Sequence, residues 1–423
     1  MTNCGIEILP DELRNELQKI AYGACFLGSG GGGGIETSFN YIDKYCKGGI
    51  NKNLVITDLN TAQGSGIVVA YMGAPQKVGN VECPDAVCDG VKKFETDMKK
   101  KDPNFKGIDY IIPIEIGPVS MVAACLAAHR MGKAVLDVDG AGRAVPTLDL
   151  ITYGTNAGIS VNPTILCSEN HHQITLEISK VIFDEKDDAS EDTTTMESLA
   201  RPVLCLPLFD QKAGLVMWYF PDVTVLREPN ACVPGTLTFC QELGDAIQSM
   251  QGKRGVLPDV KKLLLGKLSS DKSIYTDIKE ICRGTLDRAT TSTAGGFDGG
   301  VITIKGDSTI KDYSGHQYTI IFQNESLILW DSKSAEPLVM APHLISYLIG
   351  DDNGRYVFTN GDIMDGDALK KDLHGKEIVI YSIAAPNALR TSKMLCNTMK
   401  VLNTLGYYGN YEPFWEKQTL SMR

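Results

Sequence analysis

At 423 residues the chain is longer than one ordinary hydrophobic core, so two domains are expected. A content of 43% hydrophobic and 22% charged residues fits a globular chain and excludes whole-chain disorder. The net charge of −11 excludes nucleic acid as the main partner, because phosphate binding needs basic surface.

The first stretch, MTNCGIEILPDELRNELQ, has no apolar signal core, and the longest apolar run, Val119 to Ala128, is too short to span a bilayer. A cytoplasmic location without membrane contact is expected. The twelve cysteines are then reduced thiols, several of them core fillers. Cys83 and Cys88 are the closest pair, but no Cys-x-x-Cys occurs and no zinc knuckle is expected.

Leu13, Leu17, Ile20 and Ala24 recur at helical spacing and predict a helix over Pro10 to Leu27. It runs into Gly28-Ser29-Gly30-Gly31-Gly32-Gly33-Gly34, after which Ile35, Phe39, Ile42 and Cys46 mark a second helix. Strands over Leu54–Asp58 and Ile67–Gly73, a helix over Asp85–Lys99, a strand over Tyr110–Ile116, a helix over Val119–Met131 and a strand over Ala134–Val138 follow. This rhythm predicts a largely parallel sheet with helices on its faces. The rhythm then fades. Gln173–Ile182 reads as a strand, the acidic Asp184–Glu197 as an exposed loop, and Thr236–Met250 and Pro258–Leu268 as helices. From Gly300 the runs VITIKG, QYTIIFQN, SLILWD, RYVFTNGD and EIVIYSIAAP are strands between turn residues. The expected architecture is an N-terminal α/β domain over 1–175 with a mostly parallel sheet, then a β-rich C-terminal domain over 176–423. Helices within 236–268 are free to pack on the first domain.

Gly28, Gly30 and Gly33 match G-x-G-x-x-G, but a helix precedes them, and no Gly-Lys-Ser/Thr follows. No nucleotide cofactor is expected. The amides of Gly30, Gly31, Gly32, Gly33 and Gly34 can instead hold a substrate or its developing negative charge. The competing reading is a flexible helix–helix link, although seven small residues are costly to order.

The most concentrated chemistry lies in PIEIGPVSMVAACLAAHRMGKAVLDVDGAGRAVPTL, Pro113 to Leu148. Asp137 and Asp139 are two apart on a strand and are expected on one face, and Glu115 ends a neighbouring strand. Ligands bind at the carboxyl ends of parallel strands. Three crowded carboxylates raise one pKa or recruit a cation, so Asp137, Asp139 and Glu115 are candidates for a general base. Asp137 and Asp139 are also candidates for a divalent metal, with the cofactor left open. Arg143 pairs with an acid or clamps a substrate carbonyl. The plainer alternative is that the aspartates cap the turn and Arg143 is structural. His129 reads as a helix C-cap, His171 and His172 as a surface turn, and Gln323, Asn324 and Glu325 as turn residues ahead of contacts across a cleft.

The segments GSGGGGG, VLDVDGAGRAVPTL, VPGTLTFCQELGDAI, TTSTAGGFDGGVITIKG, IFQNESLILWD and IAAPNALRTS, in order from Gly28 to Ser392, resemble the S-methyl-thiohydantoin desulfurase family. The match is most specific at Asp137, Asp139, Gly140, Gly142, Arg143, Ala144 and Pro146. Gly117-Pro118, where relatives often carry Gly-Gly, is a departure. The resemblance implies a two-domain fold and a link to hydantoin and thiohydantoin breakdown. Together with the residues, it sets the expectation of a hydrolase or desulfurase acting on a small cyclic amide. The alternative is a non-catalytic small-molecule-binding subunit that partners a hydantoinase-type enzyme; a homo-oligomer is also compatible.

Overall fold

The computed structural model describes residues 5–73, 83–179, 189–252, 277–294 and 296–414, together with Leu257, Lys262, Ile274 and Tyr275. The first half builds an eight-stranded mixed sheet from β1 (Gly5–Ile8), β2 (Leu54–Thr57), β3 (Gly66–Gly73), β4 (Tyr110–Pro113), β5 (Ala134–Leu136), β6 (Thr164–Cys167), β7 (Gln173–Leu176) and β8 (Lys212–Phe220). The order is β1-β2-β5-β4-β3-β8-β6-β7. The central strands β2, β5, β4 and β3 run parallel, and the flanking pairs are antiparallel.

Helices cover the sheet: α1 (Leu13–Leu27), α2 (Ile35–Lys47), α3 (Asp85–Lys101), α4 (Pro118–Met131), α5 (Ala189–Leu204) and α6 (Thr236–Met250). Alternation along β3 assigns the faces. Ile67 and Val69 join the core beneath α1, α3, α4 and α6, while Val68, Ala70 and Met72 join a second core that includes Met196 and Ala200 of α5. Helix α4 is apolar all round and rich in alanine, as a helix between a sheet and other helices must be, and Gly132 at φ 67° ends it.

The sheet extends beyond residue 175. Strand β8 lies between β3 and β6, because its run KAGLVMWYF is buried along nearly its whole length and needs cover on both faces. The acidic segment expected as a loop through Glu197 is helical from Ala189, with Met196, Ala200 and Leu204 buried at helical spacing. Residues 184–188 of that segment, and Pro258–Leu268 apart from Lys262, lie outside the described residues.

The second half is an antiparallel sheet of β9 (Ile278–Ala294), β10 (Phe297–Gly306), β11 (Gln317–Gln323), β12 (Glu325–Asp331), β13 (Leu344–Ile349) and β14 (Glu377–Ile383). RYVFTNGD, expected as a strand, makes only one isolated bridge, Leu348 to Val357. Its polar groups are committed elsewhere: Asp362 accepts from the Ile35 amide at the start of α2, and the Asn360 amide donates to Gly30 O. A final helix, α7 (Ser392–Thr404), begins at a Thr391 side-chain cap. Among the described residues, no helix is long and apolar enough to cross a membrane.

Helices α1 and α6 touch backbone to backbone. A β-carbon on Gly23 would stand 2.0 Å from Cys240 O, and one on Gly244 would stand 1.7 Å from Lys19 O. Gly244→Ala forces the helices apart and is expected to cost about 1–3 kcal/mol or more, read as a lower urea midpoint. An unchanged midpoint would contradict this packing.

Candidate functional site

The two aspartates do not share a face. Strand pairing breaks at Asp137, between β5 and the short Val138–Asp139 segment, where the Asp137 amide donates to Thr57 O. The Asp137 carboxylate turns to the first turn of α6, accepting from the amides of Leu237 (2.8 Å) and Thr238 (3.2 Å) and from the Thr238 hydroxyl. It caps a helix that starts 99 positions along the chain at Thr236. Burial raises its pKa, and these donors oppose the rise.

Asp139 is fully buried. Its Oδ2 accepts from the amides of Ala141 (2.9 Å) and Gly142 (2.8 Å), which fixes the glycine turn. Its Oδ1 makes no hydrogen bond of normal geometry. Burial pushes its pKa up to about 7 against those two amides. Among the described residues, no three His, Cys, Asp or Glu side chains converge as metal ligands. With both Asp137 oxygens and one Asp139 oxygen taken, this pair does not fit a divalent cation.

Arg143 is 1% exposed and donates only to backbone carbonyls: Ala144 (2.9 Å), Pro342 (3.1 Å), His343 (2.9 Å) and Ser326 (2.9 Å). It ties the DGAGR turn to the second sheet. Burial lowers its pKa to about 10, and the charges of Glu325 and Glu115 oppose this.

Of the four expected acid–base side chains, Glu115 alone opens on a cavity. A cleft of about 100 Å³ sits at the carboxyl ends of β3 and β4, as expected of parallel strands. Glu115 accepts from the Val145 amide (2.7 Å) and, at 3.4 Å, from the Ser120 hydroxyl. The cleft is walled by apolar Ala70, Met72, Ile114, Leu148, Ile151 and Leu215. Its far side is Glu325, at the tip of the β11–β12 hairpin, where Asn324 turns the chain at φ 56°.

Glu325 is 3% exposed, and its Oε2 has no hydrogen-bond partner. Burial pushes its pKa up to about 8, although Arg143, its own amide, Arg201 and the Gly32 amide favour the charged form. Burial, then Glu325 and Asp139, hold Glu115 well above the usual carboxylate range. The third acid of the cleft, Glu197, is spent. Its Oε1 holds Arg201 (2.7 Å) and its Oε2 accepts from the Leu148 amide (2.6 Å). Arg201 also donates to Gly296 O and Pro146 O and lies 3.9 Å over the Phe297 ring.

The glycine run divides. Gly32 and Gly33 line the cleft, while Gly30, Gly31 and Gly33 line a cavity of about 20 Å³ on the other side of the loop. Gly34 lines neither of these two cavities and packs near the Asp362 carboxylate, which caps α2. A β-carbon on Gly31 would stand 2.2 Å from Glu325 Oε1, and one on Gly32, itself at φ 76°, would stand 2.3 Å from Gly117 Cα. His129 bonds sideways to the Tyr45 hydroxyl (2.7 Å) and Lys52 O (2.9 Å) rather than capping α4.

Family models for the S-Me-THD-like N-terminal domain and C-terminal domain match residues 15–178 and 190–409. The chain belongs to the S-Me-THD-like family. A crystal structure of a protein from Chromobacterium violaceum is similar across nearly both chains. Identity is 28%, coverage is 96% of this chain and 99% of that one, and the TM-score is 0.77. No match is found among curated proteins. Within this S-Me-THD-like chain, the segment that best signals the family is mainly structural, and the cleft is assembled around it.

In the sequence Glu325 reads as a turn residue, and nothing local distinguishes it. Glu197 and Arg201 carry a usable signal: the i,i+4 pair lies beside Met196, Ala200 and Leu204 at helical spacing.

Asp137→Ala removes an α6 cap and is expected to cost about 0.5–2 kcal/mol in urea unfolding. Arg143→Met leaves buried carbonyls unpaired and is expected to cost about 3–5 kcal/mol, seen as a large fall in Tm. Glu325 has a folded pKa of about 8, above its ordinary 4.5, so between these values the folded state keeps a proton that the unfolded chain has released. Stability therefore falls as pH rises through that window, and Glu325→Gln should remove this part of the slope. Parallel wild-type and E325Q stability–pH curves would refute the assignment.

Proposed function

We infer that the cleft is the site of a hydrolase or desulfurase acting on a small cyclic amide of the thiohydantoin class. One observation carries this reading: two carboxyl groups, Glu115 and Glu325, share a largely apolar cleft and both have raised pKa values. Paired carboxyls that cannot both ionise cheaply keep one proton between them, which gives an acid and a base at neutral pH. The family's thiohydantoin connection supports the same substrate class.

In this reading Glu115, the more accessible of the two, holds a water and takes its proton as the oxygen attacks the ring carbon bearing sulfur or oxygen. Glu325, protonated, delivers its proton to the departing sulfur or ring nitrogen. The proton on Glu115 then returns to Glu325 and restores the pair. The Gly32 amide and Arg143 moderate the negative charge that passes through Glu325. Asp139, sealed behind the turn, takes no proton from substrate.

The decisive test is Glu115→Gln assayed on hydantoin and thiohydantoin substrates, with folding checked by thermal unfolding. A fall in kcat of about 10²–10⁴ is expected, the usual worth of a positioned acid–base group. Undiminished turnover by a folded E115Q would end this assignment.

A further inference from the structure

The geometry points to Glu325 as the residue that selects the substrate's shape: its carboxyl pairs with the syn N–H and C=O (or C=S) edge that only a ring-constrained amide presents. This rests on the cleft being the ring-binding site. Glu325 is buried, lines the cleft, and leaves Oε2 without a partner. A buried polar atom with no partner is costly, and a cleft that leaves one open favours a guest that satisfies it. The Gly31 and Glu325 atoms are too close for any side chain to intervene from the loop, so the ligand is what remains to meet Oε2.

A carboxylic acid offers one O–H donor and acceptor lone pairs from two adjacent oxygens. A cyclic amide holds its N–H and C=O on the same side, so the two groups form two parallel hydrogen bonds. An open-chain secondary amide holds them on opposite sides, and reaching the cis form weakens its binding by roughly 50- to 100-fold. Charge sharpens the choice. Arg201 is the one cationic side chain among the described residues lining the cleft, and Glu197 and two carbonyls occupy it. A guest carrying its own carboxylate would face Glu115 and Glu325 with no free cation to meet it. The selected class is an uncharged cyclic amide, imide or thioamide.

Both hydrogen bonds need the protonated acid. With a pKa of about 8, Glu325 loses its donor above that pH, so ring binding weakens as pH rises through it. Glutamine presents the same donor–acceptor pattern without titrating, so Glu325→Gln should bind the ring with a flat pH response. Leucine presents neither group.

The test is calorimetric binding of 2-thiohydantoin, hydantoin, the open-chain N-acetylglycine methylamide and the anionic N-carbamoylglycine. It is run at about pH 7 and about pH 9 on the wild type, E325Q, E325L and a cleft-filling Thr147→Trp, each checked for folding by thermal unfolding. The expected result has four parts. The wild type binds the two rings at least about tenfold more tightly than either open-chain compound, and this preference shrinks at the higher pH. E325Q keeps ring binding at both pH values. E325L loses it by at least about tenfold. T147W abolishes it. If E325L binds the rings like wild type while T147W does not, the cleft reading stands and the role of Glu325 is overturned. A wild-type pH response in E325Q overturns that role in the same way. If T147W binds the rings as well as wild type, or no variant binds them at all, the cleft reading falls and takes the proposal with it.

Discussion

The Gly30–Gly33 backbone passes between Gly117, at the start of α4, and Glu325, at the tip of the β11–β12 hairpin, too closely for a β-carbon on Gly31 or Gly32. This contact sets the position of the second sheet. The Ser326 amide donates to Ser29 O, the Asn360 amide to Gly30 O, and the Val119 amide to Gly32 O. One stretch of main chain thus ties the N-terminus of α4 to the β-rich half. Any side chain here would push the Glu325 tip away from Glu115 and open the cleft. The ordering entropy of so many glycines is offset by burial of the loop in these hydrogen bonds.

Arg143 completes the junction from below. Four of its five donors end on carbonyls, and three of those carbonyls belong to the second sheet and its connections. Its charge is not neutralised by a direct carboxylate contact. It acts at longer range on Glu325 and Glu115, where it limits the rise in proton affinity that burial causes. A single buried cation therefore joins the halves and tunes the cleft. A lysine would supply the charge but not the fork of donors, so Arg143→Lys is not a conservative change here.

The order of helices and parallel strands is legible in the sequence because hydrophobic period and chain punctuation agree. Thr236–Met250, for example, is helical over the span read from its pattern. Relations across the chain are not legible in the same way. Asp137 and Asp139 obey a period of two only in an unbroken strand, and the strand breaks at Asp137 to let its carboxylate reach an amide 100 positions away. Glu115 stands out because a strand end in a parallel sheet has a fixed meaning. Glu325 does not, because its role depends on which sheet the hairpin tip meets, and that is decided by the glycine loop and Arg143.

Asp139 and Glu325 show why a shifted pKa alone does not locate a reaction. Asp139 titrates near 7 and Glu325 near 8, and burial is the leading cause for both. Each also has one oxygen without a hydrogen bond. On electrostatics alone Asp139 is the better-tuned base, and it sits in the segment most diagnostic of the family. Access separates them. Asp139 has no exposed surface and spends its other oxygen on the turn that aims Arg143, whereas Glu325 faces a cavity with a second carboxyl in it. A proton must have somewhere to go before its affinity matters. The recognisable DVDGAGR segment is then a scaffold: Asp137 seats α6, Asp139 shapes the turn, and Arg143 carries the turn's effect to the two glutamates that line the cleft.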